Sequence, residues 1–167
     1  VEGSQTNVGE SANVVKSYVI KDAGDKDVTA QFTDVQTVDG VLKVTPAAVT
    51  VKITGNNATK AYTGSEQKVE GYEVNEISND LYTEKDFELT GEAIAKGTNV
   101  GTYAMGLEAN DFVNKNDNFT VTFDVTDGWL EITPATGVVI TANSANKTYD
   151  GTALTESDVT VVGLPEG

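Results

Sequence analysis

The sequence predicts a mainly β fold, with α+β as its variant, built as small modules in tandem with at most a short helix in each. Three observations predict it. Apolar and polar residues alternate with period two over short runs. The chain repeats itself at a fixed interval. Long runs of Ala, Leu, Glu and Lys at helical spacing are missing.

The repeat sets the organisation. TVDGVLKVTPA at 37–47 returns as VTDGWLEITPA at 125–135, and NVG at 7–9 returns at 99–101. ITGNNATKAYTG at 53–64 returns as ITANSANKTYDG at 140–151. Asp39 and Asp127 lie 88 residues apart, and Tyr62 and Tyr149 lie 87 apart. A fixed interval of this size marks a tandem array. The early match is the tail of a module and the late match is a head. The chain therefore reads as a complete module at 48–135, with the C-terminal part of another at 1–47 and the N-terminal part of a third at 136–167. Two chains could also complete one another head to tail through these parts.

The elements follow in order. Leu42 and Val44 come after Asp39-Gly40, and Leu130 and Ile132 come after Asp127-Gly128. Strand-like sequence on both sides predicts a hairpin turn at each Asp-Gly, with Gly at positive φ. Pro46 and Pro134 lack an amide donor and end the last strand of each unit. The next strands begin almost at once, near 49 and 138, so adjacent units are closely joined. Val49, Val51 and Ile53 face one way while Thr50, Lys52 and Thr54 face the other. Phe119, Val121, Phe123 and Val125 alternate with Thr120, Thr122 and Asp124. Thr83, three residues before Asp86, signals a helix of one or two turns within 81–91. Thr155–Val159 reads as the same element in the following unit. Residues 106–112 read as a strand end and a turn.

Composition bounds the function. The chain has 26 acidic and 11 basic residues among 167, a formal charge of −15. That sign disfavours the phosphate backbone of nucleic acids and anionic membranes. No Cys or His is present, which removes thiolate zinc sites, imidazole bases and the usual triads. No apolar run approaches the 18 residues of a membrane span.

The candidate residues are few. Asp22, Asp25 and Asp27, and separately Asn114, Asn116, Asp117 and Asn118, offer oxygen ligands. The EF-hand spacing is absent, and these are also the ordinary residues of turns. No metal or other cofactor is expected. Lys60 and Lys147 occupy matching positions, read as strand-edge lysines or carbonyl donors, or else as partners in an internal amide bond. GTNVG at 97–101 lacks the spacing of a phosphate loop. The sequons at Asn57, Asn118 and Asn146 belong to a Thr- and Asn-rich chain. Tyr62 and Tyr149 precede turns at Gly64 and Gly151 and read as packing or binding residues. Trp129 stands where the other copy has Val41. It alternates with Leu130, which turns it away from the core, toward a neighbouring unit or a ligand.

Taken together, ATKAYTG and ANKTYDG, then GTNVGTYAMGLEANDF, then DGWLEITPA resemble the Tyr-Asp-Gly and β-grasp-like repeats, related to mucin-binding-protein repeats, of bacterial cell-surface proteins. The resemblance covers nearly the whole chain. It implies an extracellular, cell-wall-attached location in Gram-positive bacteria, a small β-grasp-like fold and no enzyme activity. The motif maps to Tyr149, Asp150 and Gly151. In the other copy Thr63 replaces Asp, which argues against an Asp-dependent role. The expected function is a stalk or spacer partnered by neighbouring units of its array. The rival is an adhesive module that binds host glycan or extracellular protein through Trp129.

Overall fold

The computed structural model describes residues 1–166. β1 (Gly9–Asn13) and β2 (Gly40–Val44) form an antiparallel pair. β3 (Ala47–Gly55) and β4 (Asn57–Ala61) run on as one strand bent at Asn56. Six short strands follow: β5 (Gln67–Glu70), β6 (Tyr72–Ile77), β7 (Phe87–Leu89), β8 (Ile94–Gly97), β9 (Gly101–Ala104) and β10 (Phe112–Asn114). β11 (Phe119–Thr126) and β12 (Trp129–Thr133) make a second bent strand. β13 (Val139–Ala142) and β14 (Val159–Val162) form a last antiparallel pair. The architecture is mainly β, consistent with a small β-grasp-like module. Among the described residues the helical elements are three 3-10 turns of three residues each.

The two bent strands run parallel along their whole length. β11 pairs with β3, and β12 pairs with β4. β6 flanks β3 and β9 flanks β12, both antiparallel, giving two three-stranded sheets that share the bent strands. Parallel pairing needs a long crossover, and residues 62–118 supply it.

This topology corrects the Asp-Gly expectation. β11 and β12 do not pair with each other, and Gly128 is not at positive φ. Gly128 is buried at the bend, against the backbone of Gly55 and Asn56. A Cβ there would collide with the Asn56 carbonyl and approach the Gly55 carbonyl carbon to 2.8 Å. The glycine permits a close backbone approach rather than a turn. Asp127 caps the bend: its carboxylate accepts from the amides of Leu107 (2.8 Å) and Gly106 (3.1 Å). Asp39-Gly40 behaves alike. Gly40 opens β2, and Asp39 accepts from the Val15 amide at 2.9 Å.

The core follows the alternation. Val49, Val51 and Ile53 of β3 and Leu130 and Ile132 of β12 are buried together. Tyr82, Phe87, Phe112, Phe119 and Phe123 add an aromatic cluster, with edge-on contacts at 5.1 Å for Tyr82–Phe119 and 5.4 Å for Phe87–Phe123. The Tyr82 hydroxyl reaches Asn114 Oδ1 at 2.9 Å, so its polar end is satisfied inside the core. Burial raises its pKa.

The helix expected within 81–91 is a single 3-10 turn at Glu84–Asp86. It carries the capping box that Thr83 and Asp86 signal. A second turn at Ala109–Asp111, boxed by Glu108 and Asp111, replaces the plain turn expected after Gly106. Thr155–Val159 is not helical. At the 87-residue interval it falls on 68–72, a strand region, and Val159 opens β14.

Asp86 accepts hydrogen bonds from Asn116 Nδ2 (2.9 Å), the Thr83 amide (2.7 Å) and Thr83 Oγ1 (2.9 Å). These donors, Asn116 foremost, hold its carboxyl below the ordinary value. A carboxyl depressed in the fold stabilises it above the unfolded pKa, about 3.9. That contribution is lost as pH falls through the folded value. Asp86→Asn is expected to lower the urea midpoint at about pH 6 and to shrink the midpoint difference between about pH 6 and about pH 2. An unchanged pH dependence in the variant would contradict this assignment.

Candidate binding surface

Trp129 opens β12, the central strand of the β4–β12–β9 sheet. Leu130 beside it is 0% exposed and Trp129 is 37% exposed, so the indole faces out while the leucine faces in. Register places Asn57 of β4 and Ala104 of β9 on either side of Trp129. Two residues along, Glu131 lies between Thr59 and Thr102. Thr59 Oγ1 sits 3.2 Å from Glu131 Oε2. The outer sheet face is thus one aromatic plate beside the Ala104 methyl, with amide, hydroxyl and carboxylate groups around it. A groove lined by Thr54, Gly55, Asn56, Asn57, Val69 and Glu73 opens at the step between the sheets, and Asn57 belongs to both features. A plate of this kind can stack on a flat apolar face while its neighbours exchange hydrogen bonds.

Tyr62 and Tyr149 are not brought to this face. Tyr62 follows β4, whose last residue pairs with Thr133 at the far end of β12, about 13 Å along the strand from Trp129. It is half-buried against the core and lines a recess with Ala135, Gly163 and Pro165. Tyr149 lies beyond β13 and is 93% exposed. The Tyr-Asp-Gly element itself is a turn. Gly64 and Gly151 are at φ 87° and 78°. Asp150 accepts from the Thr152 amide at 3.0 Å, and Thr63 accepts in the same way from the Ser65 amide at 3.4 Å. Lys147, foremost, and Thr152 hold the Asp150 carboxyl below its ordinary value.

The remaining candidates resolve into local hydrogen bonding. Asp22 accepts from the amides of Gly24 and Lys26, and Asp27 accepts from that of Thr29. Asn114 Nδ2 donates to the Asn116 and Phe119 carbonyls. Among the described residues, no three His, Cys, Asp or Glu side chains gather as a metal site. Lys60 donates to the Lys68 carbonyl at 2.7 Å, and Lys147 donates to the Ala153 carbonyl at 3.1 Å. These are the carbonyl bonds expected of them, and no charged side chain among the described residues is buried beside either lysine. Asn57, Thr59 and Thr102 escape sequence reasoning as neighbours of Trp129. Alternation marks them as outward, but only the register of distant strands places them there.

A model of the MBG domain family matches residues 47–134, more than half of the chain. No curated protein and no solved structure matches.

Proposed function

The chain belongs to the MBG domain family, and from that premise we propose that it is an adhesive module that binds host carbohydrate through the outer sheet face around Trp129. The family membership makes it a non-catalytic, adhesion-type module of bacterial surface proteins. The observation that carries the ligand reading is the exposed indole between Asn57 and Ala104, with Glu131, Thr59 and Thr102 two residues along the same sheet face. A sugar ring offers an apolar face to stack and hydroxyls to bond.

A second reading is a spacer. It is favoured by the two-residue step at Thr45–Pro46 between β2 and β3. It is also favoured by the bonds that tie the first segment to the module: the Val8 amide to Asn118 Oδ1 (2.7 Å) and Asn118 Nδ2 to Asn7 Oδ1 (3.2 Å). Both limit hinge motion.

A binding survey over host glycans and extracellular-matrix proteins separates the readings. Specific glycan binding is expected, and Trp129→Ala is expected to weaken it about tenfold or more, as for a central aromatic contact. Binding only to matrix proteins would replace carbohydrate by protein as the ligand. No binding to either class by the folded chain would leave the spacer reading.

A further inference from the structure

We propose that Glu131 makes the Trp129 face selective for neutral sugars and rejects sugars that carry a carboxylate or a sulfate. The inference rests on the carbohydrate reading and adds which members of that class the face accepts.

The strands set the charge pattern of the face. β12 is the middle strand, so its outward side chains stand between those of two neighbours. Trp129 lies between Asn57 and Ala104, and Glu131 lies between Thr59 and Thr102. One step further along, Thr133 pairs with Ala61. Among the described residues, Glu131 is therefore the one charge in these outward rows. The alternate positions of β12, Leu130 and Ile132, face the core.

That charge has no cation against it. None of the ion pairs among the described residues includes Glu131. Its Oε2 accepts from Thr59 Oγ1 at 3.2 Å, which leaves Oε1 for a ligand. A second carboxylate, the exposed Glu73, lines the groove that shares Asn57 with this face, and it too is outside those ion pairs.

The preceding unit shows that the fold does not require this arrangement. Val41 and Lys43 of β2 stand where β12 has Trp129 and Glu131, 88 residues later. Val41 pairs with Ala12 as Trp129 pairs with Ala104, and Lys43 pairs with Glu10 as Glu131 pairs with Thr102. There the position is closed by an ion pair, Lys43 Nζ to Glu10 at 2.8 Å. Here a hydroxyl residue replaces the partner, and the carboxylate stays open. The intervening residues, Leu42 and Leu130, are apolar in both units. The aromatic and the acid thus differ together while the strand beneath them is kept.

An ionised carboxylate accepts hydrogen bonds and donates none. Sugar hydroxyls donate, and their bonds to a carboxylate are charge-assisted. Two residues span about 7 Å along a strand, so the hydroxyls of a ring stacked on the indole fall within reach of Glu131. A carboxylate or sulfate on that ring would instead bring a like charge to an acceptor with no proton to offer.

Matched sets of host glycans test this: a neutral oligosaccharide, the same one with a terminal sialic acid, and the same one with a sulfate ester. The parent is expected to bind the neutral member about tenfold more tightly than either anionic member. Glu131→Gln keeps the size and an acceptor for Thr59 but removes the charge. It is expected to bring the ratio to within about threefold, weakening the neutral member and admitting the anionic ones. Glu84→Gln removes the same charge from the 3-10 turn, outside this sheet, and is expected to keep the ratio near its parent value. That control separates Glu131 from the net charge of −15. Each ratio is read within one protein, so a smaller folded fraction does not move it. Equal or tighter binding of the anionic members by the parent would overturn the selectivity, and if that binding is still lost in Trp129→Ala, the carbohydrate reading survives. An unchanged ratio in Glu131→Gln, or an equal fall in Glu84→Gln, would overturn the selectivity alone. Binding of no member by the folded chain would overturn both.

Discussion

Replacing Leu130 by alanine is expected to cost about 2–5 kcal/mol of stability. That is a large share of the roughly 5–15 kcal/mol that holds a domain together. Leu130 is fully enclosed on the central strand of its sheet. Ala58 and Tyr103 stand opposite it on the two flanking strands. Those strands are fixed to β12 by hydrogen bonds, so they cannot close over the vacated space, and the cavity persists. The neighbouring substitution Trp129→Ala should cost only about 1 kcal/mol, because its side chain faces out. Urea unfolding of both variants checks the contrast, with Leu130→Ala lowering the midpoint at an unchanged slope. A midpoint for Leu130→Ala equal to that of Trp129→Ala would mean that the two residues do not face opposite sides of the sheet.

That contrast is legible in the amino-acid sequence alone, since alternation is local. Val49, Val51 and Ile53 announce β3, Phe119 to Val125 announce β11, and Leu130 and Ile132 announce β12, and each lies where its period places it. Thr83 and Asp86 are also a local pair, and their capping box is present. Local reading fails where a strand's partner is distant. Asp127-Gly128 between two strand-like runs has the same appearance whether the runs fold back on each other or continue through a bend. The choice is made by β3 and β4, more than sixty residues earlier, which offer the second bent strand a parallel partner along its whole length. The surroundings of Trp129 are hidden for the same reason. Its outward direction follows from Leu130, while Asn57, Thr59 and Thr102 reach it only through register.

Adding a methyl group to Gly128 is expected to destabilise the fold by about 3 kcal/mol, the upper end of the usual cost of overpacking. Overpacked side chains can rotate aside, but here the obstacles are backbone atoms: the Asn56 carbonyl group and the Gly55 carbonyl carbon. Relief would require the two bent strands to part at their bends. The parallel pairs β3–β11 and β4–β12 meet at that point, so strain there weakens both sheets. Gly91→Ala serves as the control, because nothing lies within 4 Å of its Cβ position. It should fall within about 0.5 kcal/mol of the parent. Gly128→Asn separates close approach from turn geometry. Asparagine is at home in the left-handed conformation of a hairpin turn, so a hairpin at this site would tolerate it far better than alanine. At a close backbone approach any Cβ meets the same atoms, and asparagine should be at least as damaging as alanine. Parent-like stability for Gly128→Asn beside a destabilised Gly128→Ala would restore the hairpin and reject the close backbone approach.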